Sequence, residues 1–241
     1  MMESIMNNSI PTKVEIEKRM RALNNAFVGL PEKSLMLILR NSNVVNLEND
    51  HKFVHQNDPV DNIYYILEGI VKICSVSAEG KSNVVTLLVP GNAIGLLGVF
   101  DGKKSPHDMV TVGPTRLLVM QGKVARTALE REPDYSLEVV RVLCGYLRLV
   151  LSNVEEYAVK SPKARLAGRL LSLMDVFGVE TDLGIKINFK TDQEFLGGMI
   201  GVSRQSTNKL LSTLKKEGAI FTKGGHLYVK DVEILTRFNN Y

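Results

Sequence analysis

The chain has 241 residues, of which 44% are hydrophobic and 23% charged, an ordinary globular composition with room for one large or two modest domains. No apolar run approaches the length of a membrane span, and the first residues lack the pattern of a secretory signal, so we expect a cytoplasmic protein. Cys74 and Cys144 stand far apart without CxxC spacing, which argues against zinc and iron–sulfur sites.

The net charge of +4 is unevenly distributed along the chain. Residues 159–241 carry 13 Lys and Arg against 8 Asp and Glu, whereas residues 1–158 carry 17 against 18. The positive balance therefore lies in the C-terminal third of the chain, as a surface that binds nucleic-acid phosphates would require.

The N-terminal half is predicted to be mainly β-structure. Residues 1–22 are polar and predict a loose arm, and a helix is predicted from Pro31 to Arg40. Short β-prone runs then alternate with glycine-containing breaks. The predicted strands cover residues 62–67, 70–76, 83–89, 109–112 and 117–120. Many short strands at near-regular spacing favour a β-roll, which we assign to residues 23–133.

A long helix is predicted from Pro133 to about Ala158. Its apolar residues recur at spacings of three and four, the a/d pattern of a coiled coil. This apolar seam consists of Val140, Leu143, Leu147, Val150, Val154 and Tyr157. A second strip, expected to pack on the β-roll, consists of Val139, Val142, Tyr146 and Leu149. The seam predicts that residues 134–159 form a homodimer, and the alternative is a helix buried within one chain.

Two helices joined by a tight turn are predicted within residues 191–218. Lys160-Ser-Pro162 separates this part from the long helix, because the residue before proline disfavours helical geometry, and a helix from Lys163 to Phe177 follows. Thr191 and Glu194 have the spacing of a capping box that would begin the first short helix. The second short helix is predicted to start with Ser203 as its N-cap, after a left-handed Gly201, and to close at Gly218.

This arrangement is that of a helix-turn-helix, whose second helix enters the major groove of DNA. The helix over residues 203–216 is predicted to contact DNA through Ser203, Arg204, Gln205, Ser206, Asn208 and Lys209. Arginine suits guanine and glutamine suits adenine. A β-hairpin with its turn at Lys223-Gly-Gly225 makes the module winged, and we assign residues 160–241 to it. The alternative is an ordinary helical hairpin with a solvated basic face.

Four segments together resemble the Crp/Fnr family of bacterial transcription regulators. They are Asp61–Gly69, Pro90–Gly95, Ala164–Ala167 and Gly201–Gln205, and the resemblance extends from about Phe27 to the C-terminus. It implies an α+β protein with a β-roll like the cyclic-nucleotide-binding jelly roll, a long dimerisation helix and a C-terminal winged helix-turn-helix.

The resemblance also implies a homodimer that binds a palindromic operator in double-stranded DNA, with RNA polymerase as a further partner. By position, Arg204, Gln205 and Lys209 would be the base-reading residues. Many relatives have glutamate in place of Gln205 and several have arginine in place of Lys209, so the preferred DNA sequence does not carry over.

The ligand pocket that the resemblance implies departs from the cAMP-binding pattern. A cAMP-binding relative has glutamate for the ribose where this chain has Leu96, and Arg-Ser for the phosphate where this chain has the loop Lys103–His107. We therefore expect that cAMP is not the effector, and that an apolar ligand or no small molecule controls the protein. The predicted effector pocket comprises Leu96, Leu97, Lys104, Ser105, Leu147, Val150 and Leu151. Haem and a cysteine thiol switch are the alternative sensing chemistries.

No catalytic residues are predicted. The sequence shows no Ser/His/Asp or Cys/His grouping with motif spacing and no phosphate loop, and we predict neither a metal nor a cofactor. The alternative to a DNA-binding regulator is a cyclic-nucleotide-type module that acts on a protein partner. The polar face at Arg204, Gln205 and Lys209 favours DNA.

Overall fold

The computed structural model describes residues 36, 38–76, 82–189 and 191–240. The chain divides into two compact units, Met1–Leu147 and Arg148–Tyr241. The predicted arm and most of the predicted helix from Pro31 to Arg40 lie outside the described residues, although residues 38–40 are helical.

The first unit contains an antiparallel sheet of six strands. The strands are β1 (Ser42–Leu47), β2 (Lys52–Val54), β3 (Asn62–Val76), β4 (Ser82–Leu88), β5 (Ala93–Ile94) and β6 (Asp108–Gln121). Their order is β1-β6-β3-β4, and in addition β2 pairs with β6 and β5 pairs with β3. Two short helices, α1 (Leu96–Asp101) and α2 (Gly122–Arg131), accompany this sheet. The predicted β-roll is confirmed.

Two of the predicted strand breaks are wrong, because β3 runs through Gly69 and β6 runs through Gly113. Gly69 has a φ of +86° beside shifts in the β3–β6 register, and a Cβ there would lie 2.6 Å from the carbonyl oxygen of Pro114. Gly113 has a φ of +79°, and its N–H donates to the Asn49 side chain at 2.7 Å. These glycines therefore allow irregular backbone and close approach within long strands, and the chain does not reverse there.

The long helix α3 (Pro133–Val159) is confirmed with almost the predicted ends. Val139 is buried in the core of the first unit, and Val142 and Tyr146 pack against that core. These three residues confirm the strip that was expected to pack on the β-roll. Leu149 does not belong to that strip, because 47% of its surface is exposed.

Tyr146 ties α3 to the sheet through both hydrogen-bonding functions of its hydroxyl. The hydroxyl donates to the carbonyl oxygen of Ala93 at 2.8 Å and accepts from the N–H of Ala93 at 3.0 Å. Burial raises the pKa of Tyr146, so the hydroxyl keeps its proton beyond the pH at which an exposed tyrosine loses it. Ala93 begins β5, the strand that leads directly into α1, so the tie fixes the helix against this part of the roll.

The second unit carries a four-stranded antiparallel sheet and the remaining helices. Its elements are α4 (Pro162–Phe177), β7 (Gly178–Thr181), β8 (Gly184–Ile187), α5 (Gln193–Ile200), α6 (Arg204–Lys216), β9 (Ile220–Lys223), β10 (His226–Val229) and α7 (Val232–Asn239). The sheet order is β7-β8-β10-β9. The predicted break between α3 and α4 is confirmed, with Ser161 accepting a hydrogen bond from the N–H of Ala164 at 3.2 Å.

The sequence analysis missed the short strands β1, β2 and β5, the helices α1, α2 and α7, and the β7–β8 hairpin. Helix α2 begins with Gly122, a poor helix former, so its start carries no recognisable signal. Strand β7 is exposed along its whole length and lacks the alternation of apolar and polar residues that marks a half-buried strand.

We predict that Tyr146→Phe destabilises the protein by about 1–3 kcal/mol, because it leaves the N–H and carbonyl of Ala93 without their hydroxyl partner. The midpoint of urea unfolding, followed by circular dichroism, measures this loss. Ser152→Ala, at an exposed position of the same helix, is the control and should not lower the midpoint, since alanine is the better helix former. An unchanged midpoint for Tyr146→Phe would show that the tie contributes nothing.

Candidate nucleic-acid interface

Helix α5 starts one residue later than the sequence analysis predicted. Asp192 is its N-cap, and the Asp192 carboxylate accepts a hydrogen bond from the N–H of Phe195 at 2.7 Å. The predicted capping box of Thr191 and Glu194 is therefore wrong. Aspartate is as good an N-cap as threonine, and a carboxylate is additionally favoured at the positive end of the helix.

The turn between α5 and α6 has the predicted geometry. Gly201 ends α5 with a φ of +68°, and the next N–H, that of Val202, donates to the carbonyl oxygen of Gly197 at 3.0 Å. Ser203 then caps α6 by accepting from the N–H of Ser206 at 3.2 Å. Both caps are confirmed, and they fix where the second helix starts.

Close packing holds the two helices together. Thr207 is fully buried, and its hydroxyl donates to the carbonyl oxygen of Ser203 at 3.0 Å. A Cβ at Gly197 of α5 would lie 2.6 Å from that hydroxyl oxygen. The absence of a side chain at Gly197 therefore lets α6 approach α5. Thr207 therefore belongs to the contact between the two helices and not to the exposed polar side of α6.

The outer face of α6 is exposed and polar at its N-terminal end. Thr207, Leu211 and Leu214 form the buried face. The predicted DNA-contacting residues lie on the exposed side, namely Ser203, Arg204, Gln205, Ser206, Asn208 and Lys209. All six carry side chains that can donate hydrogen bonds to base edges, and Arg204 and Lys209 add positive charge.

Gln193, which the sequence analysis did not single out, contacts two of these residues from α5. Its side-chain oxygen accepts from Nε of Arg204 at 3.4 Å, and its side-chain nitrogen donates to the oxygen of Asn208 at 3.3 Å. Gln193 and Arg204 also line the same cleft, of about 380 Å³, between α5, α6 and the β9–β10 hairpin. No sequence spacing predicts this contact, because it depends on how the two helices cross.

The hairpin of β9 and β10 forms the predicted wing. Gly224 and Gly225 make the turn with φ values of +58° and +76°, and Phe221 stacks on Tyr228 with ring centroids 4.7 Å apart. Two consecutive positive φ values are typical of the tight hairpin turns that glycine favours.

A cluster around Arg165 connects the end of α3 to the end of α5. The Arg165 guanidinium donates to the carbonyl oxygen of Lys160 at 2.9 Å and to that of Ile200 at 3.1 and 3.3 Å, and it lies 4.6 Å from the centre of the Tyr157 ring. The Tyr157 hydroxyl donates to the carbonyl oxygen of Met199 at 3.1 Å. These bonds satisfy carbonyls at two helix ends and attach the helix-turn-helix to the last turn of α3.

Most of the apolar seam of α3 is exposed. The side chains of Val140, Leu147, Val150, Val154 and Tyr157 are between 44% and 62% exposed. Leu143 is half-buried and packs against the core of the first unit. A row of exposed apolar side chains along one helix is unusual for a surface that faces only water.

The residues of the predicted effector pocket lie in different surroundings. Leu96 and Ser105 are buried, and the Ser105 hydroxyl donates to the carbonyl oxygen of His107 at 2.7 Å. Leu97 and Lys104 are exposed. The remaining members, Leu147, Val150 and Leu151, are exposed on α3. The effector pocket therefore stays a prediction.

The described part of the chain offers no group of three or more His, Cys, Asp or Glu side chains that could hold a metal ion. No helix within those same residues combines the length and apolar character that crossing a membrane requires.

Comparison with known proteins gives matches to both units. Residues 44–132 match the model of the cyclic nucleotide-binding domain, and residues 164–238 match that of the Crp-like helix-turn-helix domain. The CRP-like cAMP-activated global transcriptional regulator of Mycobacterium tuberculosis is 26% identical over 211 residues, which cover 88% of this chain and 94% of that protein. The chain belongs to the Crp/Fnr family of transcription regulators.

Two further comparisons are with a curated relative and, for the fold alone, with a solved structure. The global nitrogen regulator of Synechocystis is 29% identical over 165 residues, 68% of this chain and 73% of that protein. The solved structure of the c-di-GMP-responsive global regulator CLP of Xanthomonas campestris has a TM-score of 0.74 at 15% identity, over 83% of this chain and 100% of the other. The predicted family and fold class are confirmed. The Crp/Fnr family consists of transcription regulators and not of enzymes.

We predict that Gly197→Ala destabilises this Crp/Fnr regulator by about 1–3 kcal/mol, because the added methyl group has no room beside Thr207. Thermal unfolding followed by circular dichroism measures the effect. Gly145→Ala is the matched control: nothing lies within 4 Å of its Cβ position on α3, so the better helix former should raise stability by ~0.5–1 kcal/mol. Equal effects of the two substitutions would contradict the packing argument.

Proposed function

We propose that this Crp/Fnr regulator acts as a homodimer that binds a palindromic operator sequence-specifically through residues 203–216. The observation that carries the proposal is the set of exposed polar residues at the N-terminal end of α6, the last of which are Asn208 and Lys209. That end of a second helix is the part that reaches base edges in helix-turn-helix proteins. Arg204, Gln205 and Lys209 are the proposed base-reading residues, and Ser203, Ser206 and Asn208 support them with further contacts.

The proposed dimer forms along the apolar seam of α3. Burying exposed valine and leucine side chains against a second copy removes apolar surface from water, at about 25 cal/mol per Å². Two-fold symmetry then presents two copies of α6 to half-sites about one DNA turn apart, roughly 34 Å. The seam extends over most of α3, so both halves of the helix contribute to the same interface.

We further propose that cAMP does not control this protein, although several relatives are named as cAMP-activated. A cyclic phosphate needs positive charge or free donors in its pocket, because an unmatched buried phosphate is costly to desolvate. In the loop that follows α1, the Ser105 hydroxyl donates to the His107 carbonyl and the Ser105 N–H donates to that of Asp58 at 2.9 Å. Burial lowers the pKa of His107, which favours its neutral form. An apolar ligand or no small molecule is the better match for Leu96.

The domains proposed for this function are an arm over residues 1–22, a sensor over 23–133, a dimerisation helix over 134–159 and a DNA-binding domain over 160–241. We propose the cytoplasm as its location and RNA polymerase as an additional partner, since a transcription regulator meets both DNA and polymerase there. A ligand-binding module that acts only on another protein is disfavoured, because the Crp-like helix-turn-helix is a DNA-binding domain.

The proposal for α6 predicts that Arg204→Ala removes most of the discrimination at one base pair of each half-site, a loss of about 1–3 kcal/mol. Fluorescence anisotropy with the selected operator and with single-base variants measures it. Lys216→Ala, at the other end of α6, serves as the comparison and should weaken binding to all sequences alike. An equal loss on operator and scrambled DNA for Arg204→Ala would identify Arg204 as a phosphate contact.

The proposal for α3 predicts that Leu147→Asp yields monomers with weak operator binding, because a carboxylate would have to be buried in the seam. Light scattering gives the mass and anisotropy gives the affinity. Leu149→Asp is the matched control, since Leu149 is also exposed on α3 but lies off the seam, and it should leave the dimer intact. A dimer mass for Leu147→Asp would exclude the seam as the interface.

A further inference from the structure

We propose that Gln193 is a positioning residue for DNA recognition, which sets the hydrogen-bonding groups that Arg204 and Asn208 present to the bases. The inference rests on the proposed function of α6 and deepens it. Gln193 is the first residue of α5, so a residue outside the recognition helix would help to determine the preferred operator sequence.

Both the backbone and the side chain of Gln193 are held in place. Asp192 caps α5 and thereby fixes the backbone of Gln193 at the start of the helix. The Gln193 side chain is half-buried, whereas Arg204 and Asn208 are exposed. Its amide reaches both partners at once, with 3.4 Å to Nε of Arg204 and 3.3 Å to the side-chain oxygen of Asn208. One amide therefore bridges two residues that lie one helical turn apart on α6.

The available donors and acceptors determine the direction of both hydrogen bonds that Gln193 makes, one with Arg204 and one with Asn208. Arginine has only donors, so the Gln193 group that faces Arg204 must be the carbonyl oxygen. The Gln193 nitrogen is then the group that faces Asn208, and it can only donate. Asn208 must accept through its oxygen, which leaves its NH₂ group pointing away from Gln193. The orientation of both amides therefore follows from the fact that the Arg204 guanidinium has only donors.

The consequence for Arg204 is that its Nε is engaged and its two terminal nitrogens remain for DNA. Two terminal nitrogens can donate side by side to N7 and O6 of guanine. Holding the guanidinium in one orientation before binding also reduces the side-chain freedom that is lost on binding. Arg204 therefore presents a donor pair that suits guanine.

The consequence for Asn208 is a preference for bases with acceptors. An asparagine that is free to turn can pair with adenine through one donor and one acceptor. With its oxygen facing Gln193, Asn208 presents its NH₂ group, which suits N7 of a purine, O6 of guanine or O4 of thymine. The bond from Gln193 thus narrows the set of bases that Asn208 favours.

The test uses the full-length protein and an operator obtained by selection from random double-stranded DNA. Single-base variants of that operator are titrated by anisotropy at several salt concentrations. Arg204→Ala and Asn208→Ala first identify the base pair that each residue reads. Gln193→Ala should then reduce discrimination at both of those base pairs by about fivefold, with an unchanged salt dependence. In the Arg204→Ala background it should have no further effect at the base pair of Arg204.

Gln193→Glu tests the direction of the hydrogen bonds. A carboxylate still accepts from Arg204 but cannot donate to Asn208, so Asn208 should turn its NH₂ group towards residue 193 and present its oxygen to DNA. The preference at the base pair of Arg204 should be kept. The preference at the base pair of Asn208 should shift towards adenine or cytosine, which offer amino groups in the major groove.

Thr213→Ala, a change on α6 away from this bridge, is the control and should leave every preference unchanged. A uniform loss of affinity on all sequences with a smaller salt dependence would make Gln193 a phosphate contact and overturn the inference. Wild-type preferences in Gln193→Ala, or loss of the Arg204 preference in Gln193→Glu, would overturn it as well. If the wild-type protein selects no sequence at all, the proposed function fails, and that result is distinct from a specific wild type with an unaffected variant.

Discussion

Valine and leucine side chains exposed along the seam of α3 cost free energy that only contact with another apolar surface recovers. Val140, Leu147, Val150 and Val154 repeat at coiled-coil spacing, so the matching surface on a second copy would have the same repeat. The same helix is tied to the β-roll by Tyr146 and, through Tyr157, to the helix-turn-helix. The proposed dimer along α3 would therefore bring two copies of the helix-turn-helix together.

The end of α3 and the recognition helix are linked by a short series of local constraints. Arg165 bridges carbonyls at the ends of α3 and α5, and Gly201 turns the chain directly beside the Tyr157 ring, 3.1 Å from where its Cβ would be. Gly197 then lets α6 pack closely on α5 through Thr207. Each step depends on a glycine without a side chain or on a hydrogen bond to a helix end. These contacts determine the positions of the side chains that we propose to read bases.

The sequence predicted those features that depend on local signals. The ends of α3, the Ser203 cap, the left-handed Gly201 and the wing turn all follow from periodicity, capping and glycine preference. It failed where a contact between distant segments decided the outcome. Gly69 looked like a strand end because the bulge against Pro114 has no sequence signal. The exposed position of Leu149 and the bridge made by Gln193 likewise depend on how the elements pack.

The most direct test of the central claim is the affinity of the purified protein for its selected palindrome compared with the same palindrome lengthened at its centre. In the proposed dimer, two copies of α6 held at a fixed distance by paired α3 helices would reach both half-sites only on one face of the DNA. Adding about half a helical turn, roughly five base pairs, should reduce the affinity at least tenfold, to that of an isolated half-site. Equal affinity for the original palindrome, the lengthened one and the half-site would contradict a dimer with fixed recognition helices.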